Sequence, residues 1–168
     1  MEFERKHYVE ELVKRKHNGM IKIITGLRRS GKSYLLFELF KNHLIASGVS
    51  ANHIIALSLE NRRLKELRNP DKCMAYIDAR ITDSGMYYVL IDEVQLMDEF
   101  EDVLNSYLNV VNVDVYVTGS NSRFLVTDVI TEFRGRGDEV RVYPLSLAEL
   151  HEAFPNRSWD EQIGRAHV

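Results

Sequence analysis

Gly26-Leu27-Arg28-Arg29-Ser30-Gly31-Lys32-Ser33 is the stretch that decides the fold. It matches G-x-x-x-x-G-K-[ST] in full. An apolar run, Met20-Ile21-Lys22-Ile23-Ile24-Thr25, precedes it, and a segment with helical spacing at Leu35, Leu36, Leu39, Phe40 and Leu44 follows. A strand, a glycine-bearing loop and a helix are the context in which this spacing has chemical meaning. Gly26 and Gly31 let the backbone turn tightly enough for successive N–H groups to face phosphate, and the positive end of the following helix adds to that field. Lys32 then reaches the β- and γ-phosphates, and the Ser33 hydroxyl ligates magnesium. Leu27, Arg28, Arg29, Ser30 and Tyr34 belong to the cradle by position, although a surface role suits Arg28 and Arg29 equally well.

A magnesium nucleotide site needs an acid at the end of a neighbouring strand. The run Tyr87-Tyr88-Val89-Leu90-Ile91 ends abruptly in Asp92-Glu93, as a buried parallel strand would. Asp92 is the expected second metal ligand. Glu93 points the other way, toward a site where its carboxylate orients or deprotonates an attacking water. A fourth strand, 113–117, ends in Thr118-Gly119-Ser120-Asn121. Thr118 and Asn121 are candidate γ-phosphate sensors, with a helix-cap or turn role an equal alternative for Asn121. Arg134-Gly135-Arg136-Gly137 follows; an arginine on the γ-phosphate contributes ~10³–10⁵ in rate from the same chain or a partner, whereas the plain alternative is a solvated basic loop.

Outward from these motifs, the periodicity predicts helices over 4–16, 33–47, 70–81 and 98–110, and a short one near 145–151. Strands are expected over 20–25, 53–59, 87–91, 113–117 and 139–143, with 61–68 a charged loop or helical turn. Alternation of strand and helix implies a parallel sheet covered on both faces. The 168 residues suit one domain, and 45% hydrophobic with 28% charged residues is a globular balance. Twenty-two basic against 25 acidic residues give a net charge of −3, so no global positive field draws the chain to nucleic acid or membrane. Arg62, Arg63, Lys65, Arg68 and Lys72 form one basic cluster; lacking interleaved aromatics, it reads as a solvated face rather than a nucleic-acid surface. The one cysteine, Cys73, excludes an internal disulfide or a cysteine-based zinc site. No apolar stretch approaches bilayer length and the N-terminus lacks a signal-peptide core, so a cytoplasmic location is expected.

The ordered set GLRRSGKSYLL (26–36), LIDEVQ (90–95), VTGSNS (117–122), Gly135-Arg136 and YPLSLAEL (143–150) resembles a prokaryotic family of AAA-type ATPases described as ATP-binding proteins. The resemblance covers most of residues 5–155. It implies an α/β P-loop NTPase fold of the additional-strand type: a three-layer sandwich around a mostly parallel five-stranded sheet. The phosphate-loop strand would be central, with a polar strand between it and the Asp-Glu strand. It also implies that Lys32 and Ser33 hold ATP and Mg²⁺, Asp92 the metal and Glu93 the water, and that Arg136 is the family's Gly-Arg arginine. ATP over GTP rests on the resemblance, and no Asn-Lys-x-Asp base-reading element is present. Gln95 falls in the DEVQ-like element without a derivable role.

Expected organisation is an N-terminal helix over 1–18 and an ATPase domain over 19–155, with 156–162 beginning a further C-terminal region. Ile163-Gly164-Arg165-Ala166-His167-Val168 translates ATC GGA AGA GCA CAC GTC, a sequencing-adapter string, so 163–168 is read as adapter and the natural chain as continuing beyond Gln162. The leading function is Mg²⁺-dependent ATP hydrolysis coupled to conformational change, with a homo-oligomer or the missing C-terminal domain as the source of a partner arginine. A non-catalytic ATP-binding interaction module is the alternative. A small-molecule kinase is disfavoured, because Asp-Glu at the strand end and a polar fourth strand suit water as acceptor.

Overall fold

The computed structural model describes residues 5–120, 135–146, 148, 149 and 151. Within these, five strands form one sheet: β1 (Ile21–Thr25), β2 (Ile54–Ser58), β3 (Tyr87–Asp92), β4 (Val113–Thr118) and β5 (Gly137–Arg141). Their order is β2-β3-β4-β1-β5 and every pairing is parallel. The polar strand β4 lies between β1 and the Asp-Glu strand β3, as expected. The middle of the sheet belongs to β4, however; β1 is second from the edge, with β5 outside it.

Successive strand residues face opposite sides, so a strand buried on both sides must be apolar throughout. On one face Ile21, Ile23, Val89, Ile91, Val115 and Val117 pack under two helices, α3 (Pro70–Arg80) and α4 (Phe100–Tyr107). On the other, Ile24, Tyr88, Leu90, Tyr116 and Val140 pack under α1 (Lys6–Lys14) and α2. Helix α2 runs over 32–46. Its ends, Lys32–Tyr34 and Lys41–Ala46, are α-helical, and its middle, Leu35–Phe40, is wound as a π-helix. The wider π turn brings Leu35 and Phe40, five residues apart, into the same core, both fully buried. Asn69 accepts the Lys72 N–H at 3.1 Å and Pro70 opens α3, a start signal the sequence carries openly.

Several element ends differ from expectation. Segment 61–68 is a 3₁₀ helix, Arg62–Arg68, capped by Asn61 through the Arg63 N–H at 3.0 Å. Strand β5 begins two residues early, because the register Ile21↔Gly137 pairs it along the whole of β1. Helix α4 ends three residues before the expected 110. Near the C-terminus, Ala148, Glu149 and His151 are helical. The regions 156–162 and 163–168 lie outside the described residues. Among the described residues no helix is long and apolar enough to cross a membrane.

Candidate functional site

Parallel strands deliver their C-terminal ends to one edge, the crevice where open α/β sheets bind ligands. Here that edge carries the 26–33 loop after β1, Asp92 at the end of β3 and Thr118 at the end of β4. Register sets the alignment: Ile24 pairs with Thr118 and Ser58 with Asp92.

Gly26 has φ +148°, and a Cβ there would collide with the Val142 carbonyl. Gly31, at φ +88°, is the left-handed residue from which α2 departs. Lys32 is 4% exposed; its ammonium donates to the carbonyls of Gly26 (3.0 Å) and Leu27 (2.7 Å) and lies 3.4 Å from Ser30 Oγ. Burial lowers the Lys32 pKa, against the opposing pull of Glu93 and Asp92. Leu27, Arg28 and Arg29 are exposed, Arg29 at φ +65°, and Tyr34 is half-buried.

Ser33 Oγ donates to both Asp92 oxygens, at 2.8 and 2.9 Å. Burial pushes the Asp92 carboxyl above the ordinary carboxylate range, and hydrogen bonds from Thr118 and Ser33 offset this only in part. One hydroxyl and one carboxylate in contact form a hard-oxygen donor pair that fits Mg²⁺, a cation that keeps most of its ligands from water and substrate phosphate. Among the described residues no group of three or more His, Cys, Asp or Glu is placed to hold a metal ion.

Glu93 has φ +55°, the left-handed region, so the chain turns sharply as it leaves β3. Ser120 Oγ lies 2.9 and 2.8 Å from the two Glu93 oxygens, and Gln95 Nε2 also donates to this carboxylate. Gln95 Oε1 is buried with no hydrogen-bond partner among the described residues.

Lys32, Ser33, Asp92, Glu93 and Thr118 are therefore brought together. Thr118 stands differently from expectation. Fully buried, its hydroxyl donates to Asp92 Oδ1 at 2.6 Å and accepts the Glu93 N–H at 2.9 Å, so it holds the carboxylate pair instead of facing a nucleotide. Arg136 is not at this edge. Its carbonyl accepts the Ile21 N–H at 2.7 Å, at the beginning of β1, and its guanidinium reaches Asn105 Oδ1 at 3.4 Å. Five residues of β1 then separate it from the loop, about 13 Å of strand. Asn121 lies outside the described residues.

Sequence reading passed over Ser120 as a partner of Glu93, although it stands two residues after Thr118, the spacing that repeats a direction in extended chain. Cys73 is buried and its thiol is pushed up to about 11, which makes it an inert core residue.

An uncharacterized protein of Haemophilus influenzae is 31% identical over 150 residues, covering 89% of this chain and 37% of its own length. The chain thus spans little more than a third of that relative. Among solved structures, the ORC1 protein of Aeropyrum pernix, determined in complex with DNA, superposes with a TM-score of 0.60 at 14% identity, covering 98% of this chain and 50% of its own. A DNA polymerase III gamma subunit-related protein of Thermotoga maritima gives 0.60 at 14%, covering 95% and 57%. These likenesses are of fold. The family described as AAA domain matches residues 18–151, a span that runs from the turn before β1 to the segment after β5 and includes every site residue above. With its loop, its acidic strand end and its strand order all inside that match, this chain belongs to the AAA domain family.

Proposed function

We propose that this chain binds ATP with Mg²⁺ and hydrolyses it. The observation that carries the reading is the contact of Ser33, from the phosphate loop, with Asp92, from β3, with Lys32 and Glu93 beside them. On this reading Lys32, whose ammonium donates to the carbonyls of Gly26 and Leu27, exchanges them for phosphate oxygens when nucleotide binds. Ser33 and Asp92 would hold the metal, which when bound supplies charge neutralisation on the phosphates. Glu93 orients the attacking water and takes up its proton, while Ser120 and Gln95 fix the direction of its carboxylate. Catalysis on this reading is positioning and electrostatic stabilisation, with little covalent work for the protein.

A second reading is supported by Arg136, which stands at the opposite end of β1 from the loop and so outside the reach of its own phosphate site. On that reading the chain binds ATP but turns over slowly until a second copy supplies an arginine. Phosphate release from Mg-ATP, measured beside Glu93→Gln, tests both. Turnover in the parent and its loss in the variant, with ATP binding retained, supports hydrolysis by the single chain. Tight binding without turnover in either supports the second reading, and no binding sinks both.

A further inference from the structure

Arg5 is 3% exposed, although it stands just before a helix whose other charges face solvent. Its guanidinium grips three separate segments. Nη1 donates to the Ser30 carbonyl at 2.6 Å, Nη2 to the Tyr143 carbonyl at 2.5 Å, and Nε to Glu149 Oε1 at 2.9 Å. The group lies 4.5 Å from the centre of the Tyr8 ring, and the Tyr8 hydroxyl accepts the Tyr143 N–H at 3.0 Å. Glu149 is itself oriented. Its second oxygen accepts the Ser146 N–H at 2.7 Å, while Ser146 Oγ accepts the Glu149 N–H at 3.2 Å, the reciprocal arrangement of a capping box.

Ser30 and Gly31 are the loop residues immediately before Lys32. Ser30 is buried, and a Cβ on Gly31 would come to 3.3 Å from Arg5 Nη1, so the guanidinium rests directly on the loop. From the other side the Val142 carbonyl covers Gly26, and the Val142 N–H bonds the Thr25 carbonyl at 2.7 Å. Val142, Tyr143 and Glu149 therefore brace the loop, and Arg5 joins brace to loop. Only a planar, forked cation makes three such bonds in fixed directions; an ammonium is a point charge on a flexible stem. The hydrolytic chemistry gives Arg5 no part, since each of its three nitrogens already donates to a protein oxygen.

We propose that Arg5 is a positioning residue for the phosphate loop, linking the loop at Ser30 to the Tyr143–Glu149 segment so that nucleotide affinity depends on the Arg5–Glu149 pair. This rests on the reading of 26–33 as a nucleotide loop. Arg5 touches no ligand, and it acts by fixing the conformation in which the loop N–H groups converge.

The experiment is calorimetric titration of ATP into the parent chain, Arg5→Lys, Glu149→Gln and the double variant, with the unfolding midpoint of each measured alongside. Arg5→Lys is expected to weaken ATP binding about tenfold or more, the scale of lost hydrogen bonds to a charged group, and Glu149→Gln about threefold to tenfold. The double variant is expected to bind no worse than Arg5→Lys, because Glu149 acts through Arg5. A folded Arg5→Lys that binds ATP as the parent does overturns the proposal, as do strictly additive losses in the double variant. If Arg5→Lys fails to fold, Glu149→Gln decides: weaker binding at an unchanged unfolding midpoint supports the link, and unchanged binding overturns it. A parent chain that binds no ATP overturns the nucleotide reading, and this proposal falls with it.

Discussion

Thr118 donates its hydroxyl proton to Asp92 across 2.6 Å, tying the end of β4 to the end of β3. The same oxygen accepts the Glu93 N–H at 2.9 Å, so one buried hydroxyl fixes both the carboxylate and the turn that carries the next one. Thr118→Val keeps the shape and removes both bonds. It leaves a buried donor unsatisfied, which costs about 1–3 kcal/mol. Turnover is expected to fall while metal-free ATP affinity holds, and Thr118→Ser is expected to restore both stability and rate. Unfolding midpoints and phosphate release in the three proteins check this. Full activity in the valine variant would show that the bridge is unimportant.

Asp92 carries a stability cost that can be read from pH. Burial raises its folded pKa above the ordinary value, so the folded chain holds that proton more tightly than the unfolded chain does. The carboxylate therefore destabilises the metal-free fold above its folded pKa. The effect fades as pH falls through that pKa toward 3.8, where both states are protonated. Asp92→Asn is expected to raise the unfolding midpoint at neutral pH, with the advantage over the parent shrinking in acid. It is also expected to abolish any stabilisation that Mg²⁺ adds to ATP binding. Unfolding curves from pH 7 to pH 4 test the sign; an advantage that grows in acid would contradict it.

Glu93 is held from two directions, by Ser120 Oγ and by Gln95 Nε2. Ser120→Ala and Gln95→Ala each free one side of the carboxylate without touching the phosphate loop. Each is expected to lower turnover about tenfold at unchanged ATP affinity, since small misplacements of a catalytic group cost rates of that order. Single-turnover kinetics separate the two quantities. Faster turnover in Ser120→Ala would instead identify the contact as a brake on the resting enzyme.

The sheet and the edge that carries the candidate site are legible because buried parallel strands write themselves as apolar runs, and the polar residues that follow those runs fall on one edge. Tyr87–Ile91 followed by Asp92 carries both facts in six residues. Partners far apart in the chain were not legible. Lys22 interrupts the β1 run and is fully buried, and its counter-charge Asp114 is 92 residues away on β4. Nothing local to Arg5 in the sequence signals its contacts with residues 30, 143 and 149. Thr118 is expected from the sequence as a γ-phosphate sensor, but the direction of its hydroxyl depends on Asp92, a partner 26 residues away that no local pattern reveals. Helix and strand ends shifted for a related reason: register with β1, not local propensity, starts β5 at Gly137.

Arg136 tests whether the site is complete in one chain. Its backbone pairs with Ile21 at the start of β1, whereas the phosphate loop follows Thr25 at the end, so no side-chain rotation brings it to its own phosphates. Arg136→Ala is therefore expected to leave ATP affinity of the dilute chain unchanged within about twofold, the range of a surface substitution. If Arg136 acts on a neighbouring copy, turnover per chain in the parent rises with protein concentration and the variant lacks that rise. Mixing separates this from a loss of folding. Lys32→Ala chains keep Arg136 but lack the phosphate-binding ammonium, and Arg136→Ala chains keep the ammonium. Neither is active alone at high concentration, and the mixture recovers turnover because one supplies the arginine and the other the nucleotide. Equal turnover by parent and Arg136→Ala at every concentration would remove this arginine from the mechanism. Loss of turnover in the dilute variant would mean that Arg136 acts on its own site after all, which the separation along β1 forbids unless β5 leaves the sheet.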